Sequence, residues 1–194
     1  AASVVVLVVA GWWFGREPEP KSGNVQIMAE AIQPGQSRAV VTLADGQQIV
    51  LEQANRKIEE SDGTVLHSDS GALVYTANAE KTVAKVMYNK VSIPRGGEYR
   101  LELADGTKVW LNSFSELRYP VNFTGKKREV ILAGEAYFDV VGDPEHPFVV
   151  KVNDLDISVL GTQFNVNAYT AGIVKTVLVE GRVNLRGRMG EIDL

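Results

Sequence analysis

The 194-residue chain has no cysteine and only two histidines, His67 and His146. The absence of cysteine excludes disulfides and metal centres held by thiolates. The two histidines lie far apart in the sequence, and neither has partners at ligand spacing, so we expect no metal site and no other cofactor. The net charge of −4 gives no electrostatic signature of nucleic-acid binding. These features argue against a DNA-binding module or a zinc protein.

Charge is also absent from the first fifteen residues, AASVVVLVVAGWWFG. A membrane-spanning helix needs about 20 mostly apolar residues, so residues 1–15 are predicted to be the C-terminal part of a transmembrane helix. Trp12, Trp13 and Phe14 occupy the position of an interfacial aromatic belt. A buried strand and the apolar core of a signal peptide are the alternatives. Residues 16–30 begin with REPEPKSGN and are predicted to be a linker.

After this linker, short apolar runs alternate with glycine-containing turns, and no convincing helical period is present. The segments Pro34–Leu51 and Pro94–Leu111 align at an offset of 60 residues. Each has alternating apolar residues around an Asp-Gly dipeptide, Asp45-Gly46 in the first and Asp105-Gly106 in the second. This pattern predicts two β-hairpins, because such a turn requires a positive φ. The repeat indicates that one supersecondary unit was duplicated and stacked.

The predicted fold class is therefore all-β. The duplicated hairpin favours a twin-stranded β-solenoid-like stack of short hairpins, preceded by the truncated transmembrane helix. A β-sandwich built from ten or more short strands is the alternative.

Six blocks follow one another along the second half of the chain: IPRGGEYRLELADGTKVWLN, SELRYPVNF, GEAYFDV, PFVV, VLGTQFNVNAY and VEGRV. Together they resemble the periplasmic domain of FecR-type anti-sigma factors, in the form common in Bacteroidota. The positions that carry the resemblance are expected to be structural for the most part. They are Pro94, Gly96, Gly97, Asp105, Gly106, Trp110, Leu111, Asn112, Tyr119, Pro120, Gly134, Glu135, Tyr137, Phe138, Pro147, Phe148, Phe164, Asn165 and Gly181.

The resemblance implies a single-pass regulator of the bacterial inner membrane with this domain in the periplasm. Its implied partners are the N-terminal signalling domain of a TonB-dependent outer-membrane transporter and an ECF-type sigma factor, the latter bound through a cytoplasmic segment upstream of residue 1. The expected organisation is an all-β repeat region over 31–88, a FecR-like domain over 89–187 and a truncated tail over 188–194. The alternative function is a membrane-anchored periplasmic module that binds carbohydrate or peptidoglycan through an exposed aromatic platform with polar neighbours.

The resemblance also singles out the Gly161-Thr162 bond, because the matching bond cleaves itself in a subset of these regulators. The Thr162 hydroxyl would attack the carbonyl of Gly161, convert the amide into an ester and leave it to hydrolysis. The sequence names no base for that hydroxyl. The alternative is a glycine turn followed by an ordinary strand residue. No other enzymatic activity is expected, since the chain has no GxSxG elbow, P-loop or zinc signature.

Two further groups have a chemical and a structural interpretation. Glu135 and Asp139 are the best-placed carboxylates for a glycosidase, since residues four apart face the same side of a strand. The favoured interpretation is a hairpin with a surface Glu135 and with Tyr137 and Phe138 in the core. The basic triplet 126–128, KKR, follows a glycine and is interpreted as an exposed turn.

Overall fold

A computed structural model describes residues 36–51, 56–59, 64–69, 72–76, 86–188 and 190–194. They lie in one compact unit, Gln33–Leu194. Within these ranges the chain forms eighteen strands and no helix, so the predicted all-β fold class is confirmed. The proposed membrane segment 1–15 and linker 16–30 lie outside the described residues. Among the described residues, no helix is long and apolar enough to cross a membrane.

The strands, numbered β1 to β18 in chain order, form two mixed sheets of nine strands each. Sheet I consists of β2 (Ala39–Thr42), β3 (Gln48–Leu51), β7 (Tyr88–Ser92), β10 (Glu116–Pro120), β11 (Arg128–Ala133), β13 (Phe148–Val152), β14 (Leu155–Val159), β17 (Asn184–Gly187) and β18 (Gly190–Asp193). Sheet II consists of β1 (Gln36–Ser37), β4 (Arg56–Glu59), β5 (Val65–Asp69), β6 (Ala72–Thr76), β8 (Gly97–Glu102), β9 (Lys108–Leu111), β12 (Glu135–Asp139), β15 (Gln163–Asn167) and β16 (Lys175–Glu180).

The path of the chain explains the solenoid-like arrangement. The chain changes sheet repeatedly, and the order of strands across each sheet follows the chain, apart from the reversed pair β2–β3 and the short β1. Strand β7 of sheet I connects the parallel pair β6 and β8 of sheet II. In the same way, β12 of sheet II connects the parallel pair β11 and β13 of sheet I. Neither sheet is closed, and both advance in the same direction along the stack.

Both predicted Asp-Gly hairpins are confirmed, and they lie in different sheets. Strands β2 and β3 pair in sheet I, whereas β8 and β9 pair in sheet II. The two turns have the same geometry: Gly46 and Gly106 have φ values of 90° and 83°. Each glycine donates its backbone N–H to a leucine carbonyl three residues earlier, at 2.9 Å. Glycine adopts this left-handed conformation without the steric cost that a Cβ would impose.

The core lies between the sheets and is formed by alternate residues of the strands. Aromatic side chains from opposite sheets meet there. Tyr75 of β6 and Tyr119 of β10 have hydroxyl oxygens 2.6 Å apart and rings in edge contact. Phe138 of β12 stacks on Phe164 within sheet II, at 5.1 Å between ring centroids, and contacts Phe148 of sheet I. This shared core holds the outer face of each sheet in position.

The interpretation of the basic triplet as an exposed turn is wrong for Arg128, the first residue of β11. Its side chain is only 4% exposed and forms an ion pair with Asp105 at 2.7 Å. The guanidinium also donates to the carbonyl oxygens of His146 and Val141, at 2.8 and 2.9 Å. A planar group with five donors suits a buried position where several acceptors converge. The two preceding lysines are exposed, as expected.

Candidate functional site

The motif positions fall into three structural groups. Six are buried in the core: Leu111, Tyr119, Pro120, Phe138, Phe148 and Phe164. Eight lie in turns or at strand ends: Pro94, Gly96, Gly97, Asp105, Gly106, Gly134, Pro147 and Gly181. The remaining five lie together on the outer face of sheet II: Trp110, Asn112, Glu135, Tyr137 and Asn165. The fold therefore collects these five, which are dispersed over 56 residues of sequence, into one surface cluster.

A row of side chains crosses this outer face at right angles to the strands. Arg100 of β8 is directly opposite Trp110 of β9, and Trp110 is directly opposite Tyr137 of β12. The guanidinium carbon of Arg100 lies 5.5 Å from the centroid of the Trp110 ring. The Trp110 and Tyr137 rings meet edge to face, also at 5.5 Å. The prediction that Tyr137 belongs to the core is wrong, because Phe138 faces inward and neighbouring strand residues point to opposite faces.

A polar cluster adjoins the aromatic row. Glu135 accepts hydrogen bonds from the side-chain amides of Asn112, at 3.0 Å, and Asn165, at 2.9 Å. Burial opposes ionisation of the Glu135 carboxyl, but hydrogen bonds from Asn165, Asn112 and Asn167 outweigh it and hold its pKa below the ordinary value. The carboxylate is therefore ionised, and it fixes the orientation of the amides around it.

These side chains line a shallow depression of about 410 Å³. We call it the Trp110 groove and define it by Arg100, Trp110, Asn112, Glu135, Tyr137 and Asn165. Its volume falls within the range of roughly 300–1,000 Å³ that is usual for small-molecule sites. The groove combines two aromatic rings with a fixed set of hydrogen-bonding groups.

The carboxylate pair considered for glycosidase chemistry does not have the required geometry. Glu135 and Asp139 occupy the first and last positions of β12. Glu135 lines the Trp110 groove, whereas Asp139 lines a separate depression beside Thr162, so the two carboxyls do not converge on one cavity as a glycosidase requires. A general acid also needs a raised pKa, whereas the pKa of Glu135 is lowered. Glu135 functions here as a hydrogen-bond acceptor.

Thr162 is 4% exposed and lies where the chain enters β15. Its hydroxyl donates to the carbonyl oxygen of Arg182 at 2.9 Å, and the Arg182 N–H donates to the same hydroxyl at 3.3 Å. Within the described part of the chain, these main-chain atoms are the hydrogen-bond partners of the hydroxyl, and no side chain forms a hydrogen bond with it. A Cβ on Gly161 would lie 2.7 Å from the Cα of Gly142, so close packing explains the glycine. Both interpretations of this bond, self-cleavage and a glycine turn followed by an ordinary strand residue, stay predictions.

The two histidines lie apart. His67 is exposed on β5, and His146 forms a hydrogen bond through Nδ1 with Asp143 at 2.9 Å in an exposed loop. That hydrogen bond lowers the pKa of the Asp143 carboxyl. In the ranges that the structure describes, no three His, Asp or Glu side chains are grouped as metal ligands would be.

Sequence reasoning missed Arg100, which lines the groove, and Asn167, which forms a hydrogen bond with Glu135. Arg100 could have been found, because the Asp105-Gly106 turn fixes the register of its hairpin and so places Arg100 opposite Trp110. Asn167 reaches Glu135 through the pairing of β12 with β15, two strands separated by an excursion into sheet I. No local signal in the sequence specifies that pairing.

The fold and its surface define a two-sheet, solenoid-like β-module with a polar and aromatic outer face. Residues 89–184 match the family model described as FecR protein. This stretch is a FecR domain, and the resemblance deduced from the sequence blocks is confirmed. No curated protein matches the chain at a significant level.

The solved structures that are similar to the chain include two crystal structures of a putative anti-sigma factor from Parabacteroides distasonis ATCC 8503. The first is 34% identical, with a TM-score of 0.54, over 56% of this chain and 51% of that one. The second is 35% identical, with a TM-score of 0.53, over 54% of this chain and 50% of that one. The chain thus spans about half the length of the solved structures that it matches.

Proposed function

We propose that this chain belongs to an anti-sigma regulator and that its FecR domain receives the activating signal in the periplasm. The observation that carries the proposal is the FecR match over residues 89–184, together with the similarity to the Parabacteroides structures in sequence and in fold. An identity of 34–35% over more than half of the chain supports a related role as well as a shared fold.

The uncharged segment 1–15 supports the location that we propose. Its length and its aromatic border agree with the end of a membrane-spanning helix. A single-pass arrangement in the inner membrane would place the β-module in the periplasm. On the other side of the membrane, a cytoplasmic segment would bind an ECF-type sigma factor.

The proposed input is the N-terminal signalling domain of a TonB-dependent outer-membrane transporter. Strand β16 supports docking by strand addition, because among the described strands it pairs only with β15 and forms an edge of sheet II. Val177 and Val179 of this strand are 58% and 61% exposed. An exposed apolar edge strand offers unpaired backbone groups and side-chain contacts to an incoming strand. Docking at β16 thus extends the sheet rather than filling a pocket.

The test of the sigma-factor role is the transcriptome of a strain lacking the gene, with and without restoration. We expect the change to be confined to one transporter operon and its neighbours, because an ECF sigma factor controls a small set of promoters. Unchanged transcription under inducing and non-inducing conditions would contradict the proposal.

The docking edge is tested in the same strain by restoring the gene with Val177→Lys and Val179→Lys together. Charged side chains on an edge strand oppose strand addition, so we expect repression to be retained and induction to be lost. The matched control is Val50→Lys on β3, where Val50 is 49% exposed. Among the described strands, β3 lies at the edge of sheet I farthest from β18. Normal induction by the double variant would exclude β16 as the docking edge, while leaving the sigma-factor role intact.

A further inference from the structure

The Trp110 groove lies on the outer face of sheet II, between β8 and β15, and so apart from the edge strand β16. We propose that this groove binds a neutral oligosaccharide. The proposal stands independently of the sigma-factor role. It rests on the aromatic row, the fixed amides and the charge of the groove.

The aromatic row, formed by Trp110 and Tyr137, presents apolar surface on the outer face of sheet II. The Trp110 side chain points outward and is 39% exposed, whereas its two strand neighbours, Val109 and Leu111, point inward and are buried. Arg100 on one side and Tyr137 on the other hold the indole in place. A pyranose ring presents an apolar C–H face and a rim of hydroxyls, so it matches an aromatic ring bordered by polar groups.

The polar cluster is organised before any ligand binds. Glu135 uses both carboxylate oxygens to hold Asn165 and Asn112, and the Asn112 side-chain oxygen accepts the Ser113 N–H at 2.7 Å. An ionised carboxylate has about four acceptor sites, so it has capacity for hydroxyl donors in addition to the amides. Fixing these groups in advance reduces the entropy lost on binding. These hydrogen bonds therefore hold the surface side chains of the groove in defined positions.

The charges of the groove favour a neutral ligand. Glu98 and Glu135 both line it, and Arg100 is the one cation among the described residues that line it. Arg100 is itself paired, because its guanidinium lies 3.6 Å from the carboxylate of Glu102 and its guanidinium carbon lies 5.5 Å from the centroid of the Trp110 ring. An anionic ligand would therefore meet two carboxylates and, in the described part of the chain, one cation that is already paired with Glu102. The hydroxyls of a neutral sugar can donate to those carboxylates.

The sequence provides a fluorescent reporter at the site. The chain has three tryptophans, Trp12, Trp13 and Trp110. Replacing Trp12 and Trp13 by Phe in the full chain leaves Trp110 as the only indole. We would titrate this variant with maltohexaose, cellohexaose, xylohexaose and chitohexaose up to about 10 mM, the weak end of the affinity scale. We expect a saturable change in emission with at least one of them, because a ring stacked on Trp110 displaces water from the indole.

The assignment is then tested by calorimetric titration of variants in the natural background. Tyr137→Ala and Glu135→Gln should each weaken binding of the active hexasaccharide at least tenfold, and Trp110→Ala should abolish it. The matched control is Tyr88→Ala on the outer face of sheet I, where Tyr88 is 37% exposed and lies under Arg118 at 4.3 Å. This change should leave the affinity unaltered. Since Glu135→Gln keeps the size of the side chain and replaces one acceptor oxygen by a neutral NH2 donor, it also tests the proposal if an aromatic variant does not fold.

Three results would overturn the inference. The first is the absence of saturable binding for all four hexasaccharides. The second is an affinity that Glu135→Gln and Tyr137→Ala leave unchanged, since the sugar would then bind elsewhere. The third is a response to a cationic peptide such as tetra-lysine and to none of the sugars, which would identify the groove as a peptide site.

Discussion

Asp105 and Arg128 form an ion pair between the two sheets, with 2.7 Å between the carboxylate Oδ2 and the guanidinium Nη1. Asp105 belongs to the turn after β8 in sheet II, and Arg128 begins β11 in sheet I. The same carboxylate accepts hydrogen bonds from the Thr107 N–H and hydroxyl, at 3.1 and 2.7 Å. In the equivalent hairpin, Asp45 accepts the Gln47 N–H in an exposed turn. One copy of the repeated turn thus carries an additional link across the stack.

We predict that Asp105→Asn lowers the free energy of unfolding by about 3 kcal/mol, because it leaves the buried Arg128 charge without its counter-ion. The amide retains an acceptor for the Thr107 N–H, so the effect reports mainly on the ion pair. Urea unfolding measures it. Asp45→Asn is the matched control and should cost less than about 0.5 kcal/mol, as exposed substitutions usually do. Equal losses in the two variants would show that the ion pair adds nothing to the turn.

We predict that Glu135, in the Trp110 groove, makes the folding stability of the domain sensitive to acid. The amide hydrogen bonds lower the pKa of Glu135 in the folded state. A carboxyl with a depressed folded pKa contributes stability above its unfolded pKa, and that contribution is lost as the pH falls through the folded value. Wild type should therefore lose melting temperature below pH 4.5 more steeply than Glu135→Gln. Thermal melts between pH 7 and about 3 test this, and parallel curves would contradict it.

The difference between Tyr137 and Phe138 illustrates what the sequence can determine. Alternation within β12 requires these neighbours to face opposite sides of the sheet, so both cannot belong to the core. The choice depends on the register of β12 against β9 and β15. Hairpins with Asp-Gly turns were predictable because all their determinants lie within about 18 residues of chain. The Trp110 groove was not, because it depends on pairings between strands separated by excursions into sheet I.

Arg128 was misassigned for the same reason. Its sequence context, after Gly125 and two lysines, is typical of a solvated turn. Its burial depends on Asp105, 23 residues earlier, and on carbonyl oxygens of the segment 141–146. These acceptors meet at Arg128 only in the folded stack, so the local sequence around Arg128 does not predict its burial.

Gly161 and Gly142 make a matched pair for testing close packing. A Cβ on Gly161 would lie 2.7 Å from the Gly142 Cα, whereas a Cβ on Gly142 would meet nothing within 4 Å. We expect Gly161→Ala to lower the free energy of unfolding by about 2 kcal/mol, since the backbone at Gly142 must move. Gly142→Ala should be neutral or stabilise by up to about 1 kcal/mol, because alanine restricts the unfolded chain. Similar unfolding midpoints for both would show that the two segments separate easily.

Thr162 gives the most direct test of the proposed self-cleavage. We expect the wild-type chain to remain intact at this position, because the hydroxyl is hydrogen-bonded to main-chain atoms of Arg182 and to no side chain among the described residues that could act as its base. Thr162→Ala should cost about 1–2 kcal/mol, since it removes both hydrogen bonds between the Thr162 hydroxyl and the main chain of Arg182. Thr162→Ser should restore most of that loss. Intact-protein mass spectrometry gives the opposing outcome: a fragment that begins at residue 162 in wild type and disappears in Thr162→Ala would establish cleavage. The hydroxyl would then have to leave Arg182 before it attacks, so the cleaving conformation would differ from the packed one.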